Sequence, residues 1–518
     1  MSVVEGQATN EARARSRGPI GAVVASARTP LLAAVAVLNL APGLVLGPIL
    51  DAAVFLLIGS AVRGGAMPYR DYWDHKPPGA YLLNAAGQTA VPWLDRWVVD
   101  WLMTVVAAVV AMLILQRLLR PRVGAPIAWV STLVFTCVIT AYPVALGGGY
   151  TESFALLPVM VALWLVARGD RRACSVAATS VLLAAACLFS LQAAPAALGI
   201  GLAMIVSTPR GTIRSGLIFA AAGLVLPLAL IAWLAWGGAL AAAWDQLVHY
   251  QSVYRSIGPG GWLAAFIATD LIALGCLLPA AVFTCVRIGR GRVEVDRVMA
   301  ACLGWVLAYA ALVVFEERLD PHYLILIAPA LAVIGAPALA WFVANLRAAQ
   351  PRIRRTAFSL LTVTAVMVVM LEAWSGEWLA LTPSNGTAWQ TEVRTAAAWI
   401  DSNTPASASL YVWGNYAGLY LSFNRSPEQP YLYQFPLTTA GYWSEGSTHD
   451  LVARWSQSGP DVIAEAPSAV PLSMPAVSVA DPRTYDVLDE LRSFVKSHYR
   501  IVLDQADLRL WERIGPNG

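Results

Sequence analysis

Between Asp51 and Asn84 the chain reads DAAVFLLIGSAVRGGAMPYRDYWDHKPPGAYLLN, which gathers Asp51, Arg63, Arg70, Asp71, Asp74, His75 and Lys76 in a protein where only 13% of residues are charged. The stretch follows directly on a long apolar run. Ionisable groups at a membrane edge are costly unless paired or wet, so such a cluster points to a functional site. Carboxylates and cations held together there suit one kind of work. A carboxylate can take the proton of an attacking hydroxyl, while Lys and Arg hold a phosphate through charge-assisted hydrogen bonds. Pro77 and Pro78 deny the chain a helix at that point and disfavour an α conformation at Lys76, so the residues before them are presented on an ordered turn. Asp51, across a short loop from that turn, is the candidate catalytic base, with Asp71 and Asp74 as alternatives.

A second cluster, FEERLDPHYLILIAP, sets Glu316, Glu317, Arg318, Asp320, His322 and Tyr323 between two apolar runs, where a purely topological turn needs few charges. Lys76, together with Arg63, Arg70, Arg318 or His322, is the candidate phosphate clamp. A third group, Gly147, Gly148 and Gly149 before Tyr150, Thr151 and Glu152, lacks the Gly-Lys-Ser of a phosphate-binding P-loop. It reads as a tight turn between spans, with the competing reading that Glu152 belongs to the rim of a site. His249 in WDQLVHYQSVYR reads as a neighbour of an interfacial aromatic belt. The six cysteines fall in or at the ends of apolar runs, and no pair has metal-ligand spacing, so they read as packing residues.

The elements that carry these groups are those of a membrane protein. Hydrophobic residues make up 58% of the chain, mean hydropathy is +0.60, and apolar runs of about 20 residues recur. The expected spans are 31–50, 96–116, 124–142, 152–167, 173–190, 194–207, 216–236, 263–286, 298–315, 323–345 and 356–373, about eleven in all. Residues 1–30 form a basic tail ahead of the first span, which is too long for a signal peptide. One continuous helix from Leu31 to Val62 would be about 48 Å long, so a break is expected at Asp51, with 52–62 lying along the membrane surface. Loops rich in Arg (117–122, 168–172, 210–214, 287–297 and 347–355) alternate with loops nearly devoid of it. The positive-inside rule then puts the N-terminus in the cytoplasm and both the 51–95 loop and the C-terminus outside, in a plasma (inner) membrane location.

Residues 374–518 have the composition of a water-soluble unit. Trp389, Val393, Ala397 and Ile400 recur at helical spacing, SASLYVWG, DVIAEA and RIVLDQADLRLWERI read as strands, and TYDVLDELRSFVKSHY reads as an amphipathic helix. An extracytoplasmic α/β domain is expected there, following a transmembrane domain over 31–373. The net charge of +3 and the scatter of basic residues exclude a nucleic-acid partner. No internal repeat is present, which argues against a transporter built on inverted repeats.

Asp51 after the first span, YRDYWDHKPPGAYLL in the outer loop, GGYTESFALLP opening the fourth span, RLDPHYLILIAP, and TAAAWIDSNTPASASLYVWGNYAGLYLSFNRSP together resemble the GT-C superfamily of polyprenyl-phosphate-sugar-dependent glycosyltransferases. The nearest types are family 39 and family 83, the protein O-mannosyltransferases and the lipid A aminoarabinose transferase. The resemblance implies a polytopic α-helical GT-C protein that moves a sugar from a polyprenyl-phosphate donor in the bilayer to an extracytoplasmic glycan, lipid or protein. At matched positions it implies Asp51 as the catalytic carboxylate and Lys76 as a donor-phosphate contact. Arg70, Arg318, His322 and Tyr323 complete the expected phosphate site, and Tyr69, His75, Tyr81 and Glu152 are the expected substrate contacts. The aminoarabinose transferases carry Glu before Lys-Pro-Pro where His75 stands here, and the protein mannosyltransferases follow the first acid with a second where Ala52 stands here. Sugar identity and a requirement for Mg or Mn are therefore left open. A flippase and a non-catalytic assembly partner with the same fold are the rival classes, and purified activity separates them.

Overall fold

The computed structural model describes residues 19–48, 50–170, 172–206, 212–254, 262–316, 320–348, 387–427, 429–439, 442, 445–466, 471–473 and 488–515. Over these the chain forms α1 (Pro19–Leu46), α2 (Leu50–Arg63), α3 (Gly79–Ala90), α4 (Arg96–Val123), α5 (Ala125–Thr140), α6 (Thr151–Arg168), α7 (Ala173–Phe189), α8 (Ala194–Val206), α9 (Thr212–Trp236), α10 (Trp262–Gly289), α11 (Arg297–Glu316) and α12 (Leu324–Ala348). Six stretches, in α1, α4, α6, α9, α11 and across Pro321–Leu346, are long and apolar enough to cross a membrane, and shorter apolar helices lie in α5, α7, α8 and α10. In hydrocarbon the backbone must satisfy its own polar groups, which is why apolar runs of this length fold as helices. Every expected span from 31–50 to 323–345 coincides with a helix, while 356–373 lies outside the described residues. The protein is a multi-pass membrane protein.

Close helix contacts are made through small residues, since lipid tails offer no hydrophobic drive for helices to associate. At Gly199 of α8 the backbone of Trp305 in α11 comes so near that no Cβ would fit. Behind this crossing a continuous core runs through α4, α5, α6, α11 and α12, with Leu115, Phe135, Leu163, Trp305 and Leu326 fully buried. Three of the Arg-rich turns meet at one end of the bundle: Arg122 pairs with Asp296 at 2.8 Å, and the Arg297 guanidinium lies against Gly169.

The first helix break falls earlier than Asp51. Gly47 adopts φ +80° and Pro48 follows it, so α1 ends at Leu46 and α2 starts at Leu50 with Asp51 in its first turn. Gly takes a positive φ without steric penalty and Pro cannot continue the i→i−4 ladder, whereas an acidic side chain suits a helix start. Nor does α2 lie along a lipid surface. Ala53, Leu56 and Ile58 are 0% exposed and Phe55 is 1% exposed, as suits a helix that is apolar all round.

Beyond the helices a four-stranded sheet forms in the order β1 (Leu410–Trp413), β2 (Val462–Glu465), β4 (Arg509–Arg513) and β3 (Tyr499–Asp504), with β1 parallel to β2 and the other pairs antiparallel. Strand side chains alternate between two cores. Tyr411, Trp413 and Ile463 face Leu491 and Phe494 of the Asp489–His498 helix. Leu410, Val412, Val462 and Ala464 face Ile400 of the Thr387–Asn403 helix, and this second core continues into Ala53–Ile58 of α2 and into Tyr69, Trp73 and Tyr81. The sheet unit is therefore joined to the helix that carries Asp51 by one apolar core. Its expected start at 374 lies outside the described residues.

Candidate functional site

The loop between α2 and α3 is folded by its own polar groups and by two distant segments. A tight turn pairs Pro68 with Tyr72 and forces Tyr69 to φ 70°, a left-handed conformation that costs a non-glycine residue about 1–2 kcal/mol. Polar contacts on both sides of the turn offset that strain. Gln246 donates to the Tyr69 carbonyl at 2.8 Å and accepts from the Asp74 backbone N–H at 3.1 Å, while Gln251 donates to the His75 carbonyl at 3.0 Å. Both glutamines sit on the 240–254 arm, which passes through a π-helical turn at Asp245–His249. On the other side the Trp73 N–H donates to the Pro430 carbonyl at 2.8 Å and the Tyr72 hydroxyl to the Pro427 carbonyl at 3.0 Å. The Tyr69 hydroxyl donates to the Lys76 carbonyl at 2.8 Å, so the backbone of Lys76 is fixed before Pro77 and Pro78 launch α3.

Asp74 lies at the centre of this arrangement and is 2% exposed. Its Oδ1 accepts from the His75 backbone N–H and from the Tyr433 hydroxyl, both at 2.7 Å, and its Oδ2 accepts from the Tyr81 hydroxyl. Burial pushes the Asp74 carboxyl up from 3.8 to about 6, against the pull of the Tyr81 and Tyr433 hydroxyls; nearby Asp51 raises it and Lys76 lowers it. The Tyr433 oxygen also lies 3.2 Å from His75 Nδ1. Trp73 packs its edge against Tyr250, at 4.7 Å between ring centroids, and lies 5.8 Å from Tyr433, closing an aromatic wall around the pair.

A cavity of about 310 Å³ opens beside this loop, lined by Asp51, His75, Lys76, Pro77, Ser190, Leu191, Gln192, Leu247, Val248, Gln251, Ser252, Asp320, His322, Tyr323, Tyr433 and Phe435. Its far wall is built by the turn before α12. The His322 ring stacks on Tyr150 at 4.5 Å and 7° and meets Tyr323 edge-on at 4.6 Å, while Lys76 Nζ lies 6.0 Å from the centre of the Tyr323 ring. Behind the wall Glu152, 1% exposed, accepts from Ser190 at 2.8 Å and from Thr151 at 3.0 Å, and its Oε2 lies 4.0 Å from His322 Nε2. The His322 ring thus faces Glu152 at the limit of ion-pair distance, with no hydrogen bond at its Nε2 among the described residues. Chemically the cavity offers a carboxylate at Asp51, an ammonium at Lys76, an imidazole backed by a carboxylate at His322, and apolar side chains at Leu191, Leu247 and Val248.

Among solved structures the chain superimposes on ArnT from Cupriavidus metallidurans bound to undecaprenyl phosphate with a TM-score of 0.59 at 14% identity, covering 96% of this chain and 99% of that one. The chain has the GT-C fold. The apo form of the same GT-C protein gives a TM-score of 0.52 at 14% identity over 93% of this chain and 98% of that one. The oligosaccharyltransferase AglB from Archaeoglobus fulgidus, in complex with an inhibitory peptide and a dolichol-phosphate, gives 0.46 at 12% identity over 84% and 69%. No protein-family model and no curated protein matches the sequence.

On this GT-C fold Asp51, His75, Lys76, His322 and Tyr323, named from the sequence, meet in one cavity, and Asp74, Tyr69, Tyr81 and Glu152 stand directly behind its walls. Asp71 and Arg70 do not line it. They pair with each other at 2.7 Å, Asp71 accepts from the Met67 backbone N–H, Arg70 donates to the Gly237 carbonyl, and the Arg70 hydrogen bond holds the Asp71 carboxyl below its usual range. Their chemistry is spent on closing the start of the loop. Arg318 lies outside the described residues. Among the described residues no group of three or more His, Cys, Asp and Glu side chains is placed to hold a metal ion, so Mg or Mn finds no such ligand set there. Sequence reasoning missed Tyr433, Phe435, Gln246 and Gln251. The unusual density of polar and aromatic residues in WDQLVHYQSVYR was a usable signal for the glutamines, whereas nothing local marked Tyr433.

Proposed function

We propose that the protein is an integral-membrane glycosyltransferase that moves a sugar from a polyprenyl-phosphate donor to a hydroxyl of a glycan, lipid or protein acceptor on the outer side of the membrane. The observation that carries this reading is the meeting of Asp51, Lys76 and His322 in one cavity at the end of the apolar bundle opposite its Arg-rich turns. A donor of this class has a tail that partitions into the bilayer and a monophosphate at headgroup level. Support for a lipid-linked donor also comes from the similar fold of ArnT, solved with undecaprenyl phosphate.

Lys76 and His322 hold the phosphate, with the Glu152 carboxylate 4.0 Å behind the His322 ring. The acceptor hydroxyl attacks the anomeric carbon, the bond from that carbon to the phosphate oxygen breaks, and its electron pair stays on the phosphate, where Lys76 and His322 stabilise the added charge. Asp51 takes the hydroxyl proton. Leu191, Leu247 and Val248 give the cavity an apolar border suited to the first units of the lipid tail.

The test is incubation of the purified protein with radiolabelled polyprenyl-phosphate sugars and membrane extract. The parent is expected to transfer label, and Asp51→Asn, which keeps a polar helix start but is a far poorer proton acceptor, is expected to lose at least about 100-fold in rate with unchanged thermal stability. Lys76→Ala should weaken binding of undecaprenyl phosphate by about 1.5–3 kcal/mol, the usual worth of a hydrogen bond to a charged group. Absence of transfer from every donor, or near-parental turnover by Asp51→Asn, overturns the reading.

A further inference from the structure

We propose that Tyr433, contributed by the C-terminal sheet unit, is a positioning residue for the transfer reaction, bridging Asp74 to His75 and thereby setting the tautomer and orientation of the His75 ring in the cavity wall. The inference rests on the transfer reading above.

The geometry follows from counting protons. The Tyr433 hydroxyl has one hydrogen, and it goes to Asp74 Oδ1 at 2.7 Å, where a carboxylate is the stronger acceptor. The remaining contact, 3.2 Å between the Tyr433 oxygen and His75 Nδ1, is then a hydrogen bond only if Nδ1 carries the proton. Neutral His75 is therefore the Nδ1–H tautomer, and Nε2 is its proton-accepting nitrogen. Asp74 is in turn held by Tyr81 and by the His75 backbone N–H, and the His75 carbonyl is held by Gln251. The bridge thus fixes both ends of the residue that immediately precedes Lys76.

Among the described residues the Tyr433 hydroxyl has no further hydrogen-bond partner, and its place is set by packing. It is 4% exposed, lies 5.8 Å from Trp73 and from Phe435 between ring centroids, and belongs to the same apolar core as Tyr420, Phe423 and Leu432. The groups facing Asp74 are Asp51 from α2, Tyr69, His75 and Lys76 from its own loop, Tyr81 from α3 and Tyr433 from the sheet unit. Lys76 is the cation among them, so the carboxylate form that the bridge requires depends on the tyrosine hydroxyls as well as on that lysine. The sheet unit by this account supports the cavity wall, since its Tyr433 hydroxyl reaches the His75 ring.

The protein has five histidines, few enough for the full chain to be labelled with ¹⁵N-histidine and read by NMR in nanodiscs, with His75 assigned from the signal lost in His75→Gln. The parent is expected to show His75 as the Nδ1–H tautomer near neutral pH. Tyr433→Phe, which retains the ring packing, is expected to lose that preference and to lower the transfer rate about tenfold or more, with undecaprenyl phosphate binding held within about twofold. A parent His75 protonated on Nε2 alone overturns the bridge without any variant having to fold. An unchanged tautomer in Tyr433→Phe, or a changed tautomer with full transfer rate, overturns the positioning role. A parent with the expected tautomer and no transfer from any polyprenyl-phosphate sugar removes the transfer reading and the role in it, while the tautomer signal still reports the bridge.

Discussion

Asp74 illustrates how one residue can serve the site and strain the fold. As a carboxylate it accepts hydrogen bonds from Tyr433, Tyr81 and the His75 N–H, yet burial pushes it up to about 6 from an ordinary 3.8. The folded protein therefore binds its proton more tightly than the unfolded chain does. Stability from this group is fully present below about 3.8 and is lost as the pH rises through about 6. By pH 7 the cost of holding the carboxylate amounts to roughly 3 kcal/mol. Activity has the opposite slope, because a protonated Asp74 has one acceptor oxygen fewer for its three donors. Lowering the pH from 7 to 5 is expected to raise the thermal midpoint of the parent relative to Asp74→Asn while its transfer rate falls. Thermal scans of both proteins across that range check this, and a constant gap between them would show that Asp74 does not titrate there.

The crossing of α1 by the turn before α6 is a tight backbone contact among the elements that frame the site. Gly43 and Gly147 meet backbone to backbone with no room for a Cβ on either, Gly147 has φ +81°, and the Trp97 indole donates to the Gly43 carbonyl at 2.9 Å. The turn then runs through Gly149, whose N–H donates to Thr104 at 3.0 Å, to Tyr150 and Glu152, the residues that hold His322. Gly147→Ala is expected to destabilise the protein by about 1–3 kcal/mol through overpacking. Because the displaced turn carries the partners of His322, lipid-phosphate binding should weaken as well. Thermal scans and binding of undecaprenyl phosphate measure the two effects, and an unchanged midpoint would show that the crossing tolerates a methyl group. The sequence reading of a plain turn with a possible site rim was too coarse to separate these roles. Turn chemistry was visible in the three glycines, but the element packed against them was not.

For the whole molecule the orientation in the membrane follows from charge. The Arg-rich turns at Arg122, Gly169 and Arg297 gather at the end away from the cavity, and by the positive-inside rule that end is expected to face the cytoplasm. In a cysteine-free background Ser402→Cys, on the exposed face of the helix before β1, should react with an impermeant thiol reagent in intact cells, and Glu294→Cys, in the exposed turn between α10 and α11, should not. Labelling of the second but not the first would invert the orientation.

The sequence by itself determined the membrane class, the helices from 31–50 to 323–345, the strands and flanking helices of the sheet unit, and the two charged segments that supply Asp51, His75, Lys76, His322 and Tyr323. These are local properties, written in runs of apolar residues, in period-two and helical patterns, and in the cost of placing charge beside lipid. Tertiary structure decided which charged groups enter the cavity and which are used up beforehand. Arg70 and Asp71 are sequence neighbours that satisfy each other, while His75 and Tyr433 meet across 358 residues. It also decided that α2 is enclosed by the sheet unit and not laid on lipid, because an apolar helix is buried by whichever partner the fold brings to it. Pairing over such separations depends on the packing of a shared core, and nothing in the local pattern of either segment specifies its partner.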